Sequence, residues 1–153
     1  MRKLFLTFFY TGLLPKAPGT YGTIAGALVA LPILFYFPPT TLFLATILLT
    51  LIAINEINKE EIQSGIHDAS EIVIDEVAGI WLALSMSGAT WIQIILSIIF
   101  FRLFDIWKPS VIGRIDHDVK GGLGVMGDDL LAGVFAAICS AGTYQILQYL
   151  SLV

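Results

Sequence analysis

Apolar residues fill three long stretches of the chain, 17–55, 77–101 and 130–153, none of which contains a charged side chain. All twenty charges lie in the windows around them: Arg2 to Lys16, Glu56 to Glu76, and Arg102 to Asp129. Residues 17–55 hold enough chain for two helices. Phe37-Pro38-Pro39-Thr40 divides them, since proline lacks the amide donor and clashes with the preceding turn. The pattern predicts helices over about 22–36 and 40–57. Residues 130–153 read as one helix of roughly 20 residues, enough to cross about 30 Å of hydrocarbon.

The middle stretch admits one span, or two short helices meeting at Ser85-Met86-Ser87-Gly88-Ala89-Thr90. A full crossing would put Arg102, Lys108, Arg114 and Lys120 outside, against the tendency of basic residues to stay cytoplasmic. A hairpin turning near Gly88, with arms over about 76–86 and 90–107, returns all three charged windows to one side. The hairpin is the expected arrangement, its arms too short to span fully. Arg2-Lys3 followed by an apolar run resembles a signal peptide, but no small-residue cleavage site follows. Residues 4–14 are expected instead to form an interfacial or packed helix. The predicted fold is all-α, a compact membrane-embedded bundle of about five to six helices in one domain, 1–153.

Composition narrows the classes. Hydrophobic residues make up 57% and charged residues 13%, against roughly 45–50% and about 25% in soluble domains. A disordered chain is excluded. The net charge of −4 argues against a nucleic-acid partner held by phosphate neutralisation. The one cysteine, Cys139, leaves no intramolecular disulfide framework and no cysteine-based zinc site. The chain has no internal repeat and no low-complexity tract.

The chemistry is expected where polar residues gather at the edges of apolar runs. On a helix, Asp68, Glu71 and Asp75 would share a face at i, i+3 and i+7, or Glu71 and Asp75 alone if the helix starts near Ser70, with Glu76 roughly 100° away from Asp75. Glu56, Glu60 and Glu61 read as a solvated loop or helix end. Asp75-Glu76 differ, because Val77 opens an apolar run immediately afterwards, and carboxylates at such an edge need a cation or a donor. Arg102, Asp105 and Lys108 form a polar stripe on an otherwise apolar helix, and Pro109 disfavours helix at Lys108. The stripe is either a self-contained ion-pair ladder, or a phosphate clamp with a carboxylate that orients it or holds a metal. Residues 121–129 read as a glycine-rich loop opening the last helix, with Asp128 as its N-cap. Its glycines would let backbone approach an anion but lack the spacing of a nucleotide-binding loop.

Five carboxylates (Asp75, Glu76, Asp105, Asp128, Asp129) and four bases (Lys16, Arg102, Lys108, Arg114) thus gather on one side of an apolar bundle. Acid-rich oxygen sites suit a hard ion such as Mg²⁺, the bases suit an anionic substrate, and the bundle suits a lipid. The residues alone point to metal-assisted chemistry on a phosphate-bearing lipid.

Four segments, KAPGTYGT (16–23), IVIDEVAG (72–79), FRLFDIWKP (101–109) and GGLGVMGDDLLAG (121–133), resemble the signature blocks of the phosphatidylglycerophosphatase A family and follow the family's order. The resemblance extends over most of residues 12–137. It implies a Mg²⁺-dependent phosphoric monoester hydrolase of the bacterial inner membrane, with its active site facing the cytoplasm. Such an enzyme converts phosphatidylglycerophosphate, an anionic phospholipid, to phosphatidylglycerol and inorganic phosphate. On that reading Mg²⁺ is expected on one carboxylate of Asp75-Glu76 and one of Asp128-Asp129. Asp105 is a further ligand or orients the attacking water, so Asp75, Asp105 and Asp129 are the expected catalytic carboxylates. Lys108 and Arg102, with Lys16 or Arg114, would grip the phosphoryl oxygens. Gly19, Thr20 and Gly22 would add backbone or hydroxyl donors. The lipid's acyl chains would lie between helices.

Other chemistries fit less well. Cys139 lies in an apolar helix with no arginine downstream, against a cysteine-phosphate intermediate. Asp116-His117-Asp118 partly mimics an aspartyl-phosphatase motif, but it lacks an α/β surround and reads as a loop. No P-S-G-H block of the histidine lipid phosphatases is present, and His67 reads as a loop residue. Two other classes remain: a membrane ion or proton transporter whose carboxylates form a pathway, and a non-enzymatic scaffold whose acids are caps and ion pairs. The acids cluster beside the apolar runs, and none lies mid-run, which argues against the first. The second predicts that carboxylate substitutions change stability and leave no activity to lose.

Overall fold

Each uncharged stretch becomes helix. The computed structural model describes residues 1–109 and 111–152, apart from the side chain of Asp116, and among them are seven α-helices and no strand. These are α1 (Arg2–Leu6), α2 (Pro18–Tyr36), α3 (Pro39–Ser64), α4 (Ile74–Ser87), α5 (Trp91–Trp107), α6 (Val111–Asp118) and α7 (Gly122–Tyr149). The all-α bundle is as expected; the short α1 and α6 bring the count above five to six.

α4 forms the centre. A helix that is apolar on every side has no solvent face to present, and Val77, Ala78, Ile80, Ala83 and Leu84 are fully buried. α2, α3, α5 and α7 pack around it. Glycine brings α7 close: a Cβ on Gly133 would strike the Gly79 carbonyl oxygen, and one on Gly79 would lie 2.7 Å from the Asp129 carbonyl oxygen. Small residues at a crossing let two backbones approach in this way. The Trp81 indole N–H donates to the Gly26 carbonyl at 2.8 Å and ties α4 to α2.

α4 and α5 make a hairpin that turns at Gly88, whose φ of +110° is open to glycine and closed to most residues. Thr90 and Gln93 start α5 with a capping box. α5 stops at Trp107, and Lys108, just before Pro109, takes a left-handed conformation with φ +44°.

This connectivity gathers the starts of α2, α4 and α7 and the ends of α3 and α5 at one end of the bundle. All three charged windows meet there: Arg2 of the first pairs with Glu56 of the second at 3.1 Å, and Lys16, Asp75 and Asp128, one from each window, line a common cavity. The far end is held by Phe35 against Trp91, ring centroids 5.2 Å apart, and by a 2.8 Å hydrogen bond from Ser97 to Ser87. α2, α3 and α7, with 19, 26 and 28 residues, are long and apolar enough to cross a membrane. At about 1.5 Å per residue, the 14-residue α4 falls short of ~30 Å of hydrocarbon. Leu28, Leu44, Leu48, Leu51, Ile138 and Ile146 lie on the outside, 61–63% exposed. An outer surface so apolar belongs in hydrocarbon, and the protein is a membrane protein.

Boundaries depart from the local pattern where tertiary contacts take over. α7 starts at Gly122 and not near residue 130, because Asn58 of α3 accepts a 2.7 Å hydrogen bond from Gly122 N and caps it from outside. Gly122 and Gly124 lie against the Ile54 and Val119 backbones, where a Cβ would not fit. Asp128 is therefore no N-cap; it sits in the second turn of α7. α2 starts earlier than expected, at Pro18, a residue suited to a helix's first turn. α3 runs on to Ser64, where Gly65 at φ +70° ends it. Residues 66–73 are not helical, so Asp68, Glu71 and Asp75 share no helix face. That segment is pinned instead by a hydrogen bond from Val73 N to Leu6 O at 3.0 Å. Of residues 4–14, only 4–6 lie in α1. The chain then passes through Phe8, Phe9 and Tyr10, all at positive φ, into a 3₁₀ turn at Thr11–Leu13. Residues 116–118 belong to α6 and form no loop; the Asp116 carboxylate lies outside the described residues.

Candidate active site

At the charged end, helix termini enclose a cavity of about 520 Å³. α4 supplies Asp75 and Glu76 from its first turn, where the helix dipole favours carboxylates. α7 supplies Asp128 and Asp129. α5 supplies Arg102, Asp105 and Ile106, with Lys108 just past its end, and residues 16–20 lead into α2. Asp68, Ser70 and Ile72 close the cavity from the segment before α4.

The packing sorts the carboxylates. Asp75, Glu76 and Asp129 each offer an oxygen within 4.8 Å of the others. Asp75 and Asp129 are 7% and 3% exposed. Asp75 Oδ1 and Glu76 Oε2 are buried without a hydrogen-bond partner among the described residues. Burial, and then the neighbouring Glu76 charge, raises the Asp75 carboxyl well above its ordinary range. Burial pushes Glu76 up to about 8, with Asp129 and Asp105 adding repulsion. Carboxylates so confined need protons or a cation to neutralise them. Asp75 and Glu76 are a residue apart on the helix, yet both lean into this space. Gly19 leaves the room: a Cβ there would strike Glu76 Oε1 and lie 3.2 Å from Arg102 Nη1.

Asp128 has a different neighbour. It accepts from Lys108 Nζ at 2.7 Å, the left-handed turn having carried Lys108 across to α7 and away from its own helix. Arg102 donates to Asp105 and, at 3.5 Å, to Thr23 Oγ1. Thr23 is fully buried and donates in turn to the Gly19 carbonyl at 2.8 Å. Lys16, Asp68 and Lys108 all line the cavity at positive φ, +78°, +48° and +44°. Backbone held in this region costs energy that the surrounding structure must supply.

Of the residues singled out in the sequence, Lys16, Thr20, Asp75, Glu76, Arg102, Asp105, Lys108, Asp128 and Asp129 all line the one cavity. Arg114 does not; α6 turns it outward to an exposed position. Gly22 does not line it either; it packs against Val73, whose Cβ would lie 2.7 Å from an added methyl. His67 sits outside the cavity, its Nδ1 2.6 Å from Glu61 Oε1. Ser70 and the bracing by Thr23 escaped sequence reasoning, while Asp68, read there on a helix face with Asp75, reaches the cavity from a non-helical segment. Thr23 left a trace, four residues after Gly19 in the same block and so on the same helix face.

A family model for phosphatidylglycerophosphatase A matches residues 4–144. A phosphatidylglycerophosphatase A of Haemophilus influenzae is 34% identical over 131 residues, covering 85% of this chain and 80% of the relative. Another from Escherichia coli is 35% identical over 133 residues, covering 84% and 75%. A Bacteroides thetaiotaomicron protein provisionally named phosphatidylinositol-3-phosphatase is 37% identical over 142 residues, covering 88% of each chain. No solved structure matches the chain. Cations that share a cavity with a buried acidic cluster suit chemistry on a phosphate, and the family match runs through every element that builds this cavity. The chain therefore belongs to the phosphatidylglycerophosphatase A family and is a phosphoric monoester hydrolase.

Proposed function

We propose that the protein removes the terminal phosphate of phosphatidylglycerophosphate, yielding phosphatidylglycerol and inorganic phosphate, with Mg²⁺ as its metal. Residues 1–153 act as one catalytic domain at the cytoplasmic face of the bacterial inner membrane. The observation that carries this reading is the group Asp75, Glu76 and Asp129, with two partnerless buried oxygens, sharing a cavity with Arg102 and Lys108. The donor set is all oxygen, which fits a hard divalent cation, and Mg²⁺ takes one or two carboxylates together with substrate phosphate. When bound, Mg²⁺ supplies charge neutralisation at the phosphoryl oxygens and a lowered pKa for a water.

Asp75, Glu76 and Asp129 hold the ion. Arg102, braced by Asp105 and Thr23, offers its buried and partnerless Nε–H to a phosphoryl oxygen. Lys108, braced by Asp128, adds a second positive charge. Lys16 and the Thr20 hydroxyl meet the phosphate at the cavity mouth, and Asp105 orients the attacking water. The water adds to phosphorus, the bond to the glycerol oxygen breaks, and the released alcohol takes up the proton that the water loses. All eight Lys and Arg residues belong to the windows at this end of the bundle, and the positive-inside tendency supports a cytoplasmic orientation.

Phosphate release by purified protein in detergent tests the reading, with Mg²⁺ and with chelator. Phosphatidylglycerophosphate, phosphatidic acid and phosphatidylinositol-3-phosphate are compared. Mg²⁺-dependent release from the first lipid, well above the other two, is expected. Preference for the inositol lipid would overturn the substrate assignment, and chelator-resistant release would overturn the metal.

A further inference from the structure

We propose that the seam between α2 and α5 is the binding groove for the acyl chains of the lipid whose phosphate enters the cavity; this rests on the lipid-phosphatase reading above. One face of α2 carries Thr20, Ile24, Leu28, Leu31 and Phe35, at steps of three or four residues that keep them on a single stripe. One face of α5 carries Trp91, Ile95, Ile99, Arg102 and Ile106 at the same repeat. The two helices run antiparallel and meet at both ends, Arg102 with Thr23 beside the cavity and Phe35 with Trp91 at the far end. Between those contacts Ile24, Leu28, Ile95 and Ile99 remain 47–61% exposed.

Continuity with the cavity identifies the occupant. Thr20 and Ile106 line the polar cavity and each begins a stripe, and Ile106 is 72% exposed. A phosphate held by Arg102 therefore has an apolar track leading directly away from it. The 15 residue steps from Thr20 to Phe35 rise about 22 Å, more than the ~15 Å depth of one leaflet's hydrocarbon. The exposed apolar residues on α3, such as Leu44 and Leu48, lead to no such cavity.

Ile24→Trp and Ile99→Trp fill the seam, and Leu48→Trp on α3 is the control. Phosphate release by the full-length protein in mixed micelles is measured on long-chain phosphatidylglycerophosphate and on its deacylated, water-soluble head group. The seam variants are expected to raise KM for the long-chain lipid about tenfold, with head-group kinetics unchanged, while Leu48→Trp alters neither. An unchanged KM on lipid, or equal losses on both substrates, would overturn the groove. Photo-crosslinking is independent of turnover. Benzoylphenylalanine is placed at position 99 or 48, in phosphatidylcholine vesicles carrying a trace of labelled phosphatidylglycerophosphate. Enrichment of label at 99 over 48 is expected, and equal labelling would overturn the groove. Wild-type protein that releases phosphate from neither substrate fails the phosphatase reading itself, a result distinct from any of these.

Discussion

Gly19 is small because the Glu76 and Arg102 side chains occupy the space its own would take. A methyl there meets the Glu76 carboxylate and crowds the Arg102 guanidinium. Gly19→Ala is expected to lower turnover about 100-fold, the order of effect that a misplacement of about 1 Å produces, with helicity by circular dichroism unchanged. The aspartates should separate just as clearly. Asp75→Asn and Asp129→Asn remove oxygens from the buried cluster, so the Mg²⁺ needed for half-maximal turnover should rise at least about tenfold. Asp128→Asn weakens the pairing with Lys108 instead, and its main effect should fall on KM for the lipid at saturating Mg²⁺. Crossed Mg²⁺ and lipid titrations measure both. Near-wild-type turnover of Asp75→Asn or Asp129→Asn at limiting Mg²⁺ would remove that residue from the ligand set. The acids themselves were legible in the sequence, since a carboxylate beside an apolar run needs a partner. Their division of labour was not, because Asp128 and Asp129 look alike until the crossing of α7 with α4 points them to different neighbours.

α4 and α7 approach closely only because Gly79 and Gly133 face each other. Gly133→Ala drives a methyl into the Gly79 carbonyl, and overpacking of this kind costs about 1–3 kcal/mol. Gly142, further along the same helix, has open space around its missing Cβ. Gly142→Ala should be neutral or stabilising, since alanine is favoured over glycine in a helix by about 1 kcal/mol. Thermal unfolding in detergent distinguishes the two: Gly133→Ala lowers the midpoint and Gly142→Ala does not. Helix breaks set by local chemistry were readable, as at Pro38-Pro39 and Gly88. The start of α7 was misread because its glycines looked like a loop. They serve as close-packing positions, and the cap that licenses them, Asn58, lies 64 residues earlier.

At the scale of the molecule, proton binding at the acidic end is linked to stability and, on the proposed metal reading, to cation binding. In the folded, cation-free protein Glu76 holds its proton up to about 8, against an ordinary value of 4.5. Between those values the folded state binds more protons than the unfolded state, so cation-free stability falls as pH rises through that window. A cation takes the place of the protons, so its affinity rises over the same window and protons are released on binding. Calorimetric Mg²⁺ titration at steps up to pH about 8 should show both trends; affinity independent of pH would contradict them. The helical class, the hairpin at Gly88, the membrane setting and the gathering of the charged windows at one end of the bundle were all legible in the sequence. Those features follow from apolar runs, charge windows and turn residues, which act over a few neighbouring positions. Packing in three dimensions settled which three carboxylates share one space, that Lys108 reaches Asp128, that Arg114 faces outward, that Gly19 leaves room for Glu76 and that Thr23 accepts from Arg102. Apart from the exposure of Arg114 on α6, each is a distance between residues of different segments, set by how α2, α4, α5 and α7 pack together, and no local pattern encodes it.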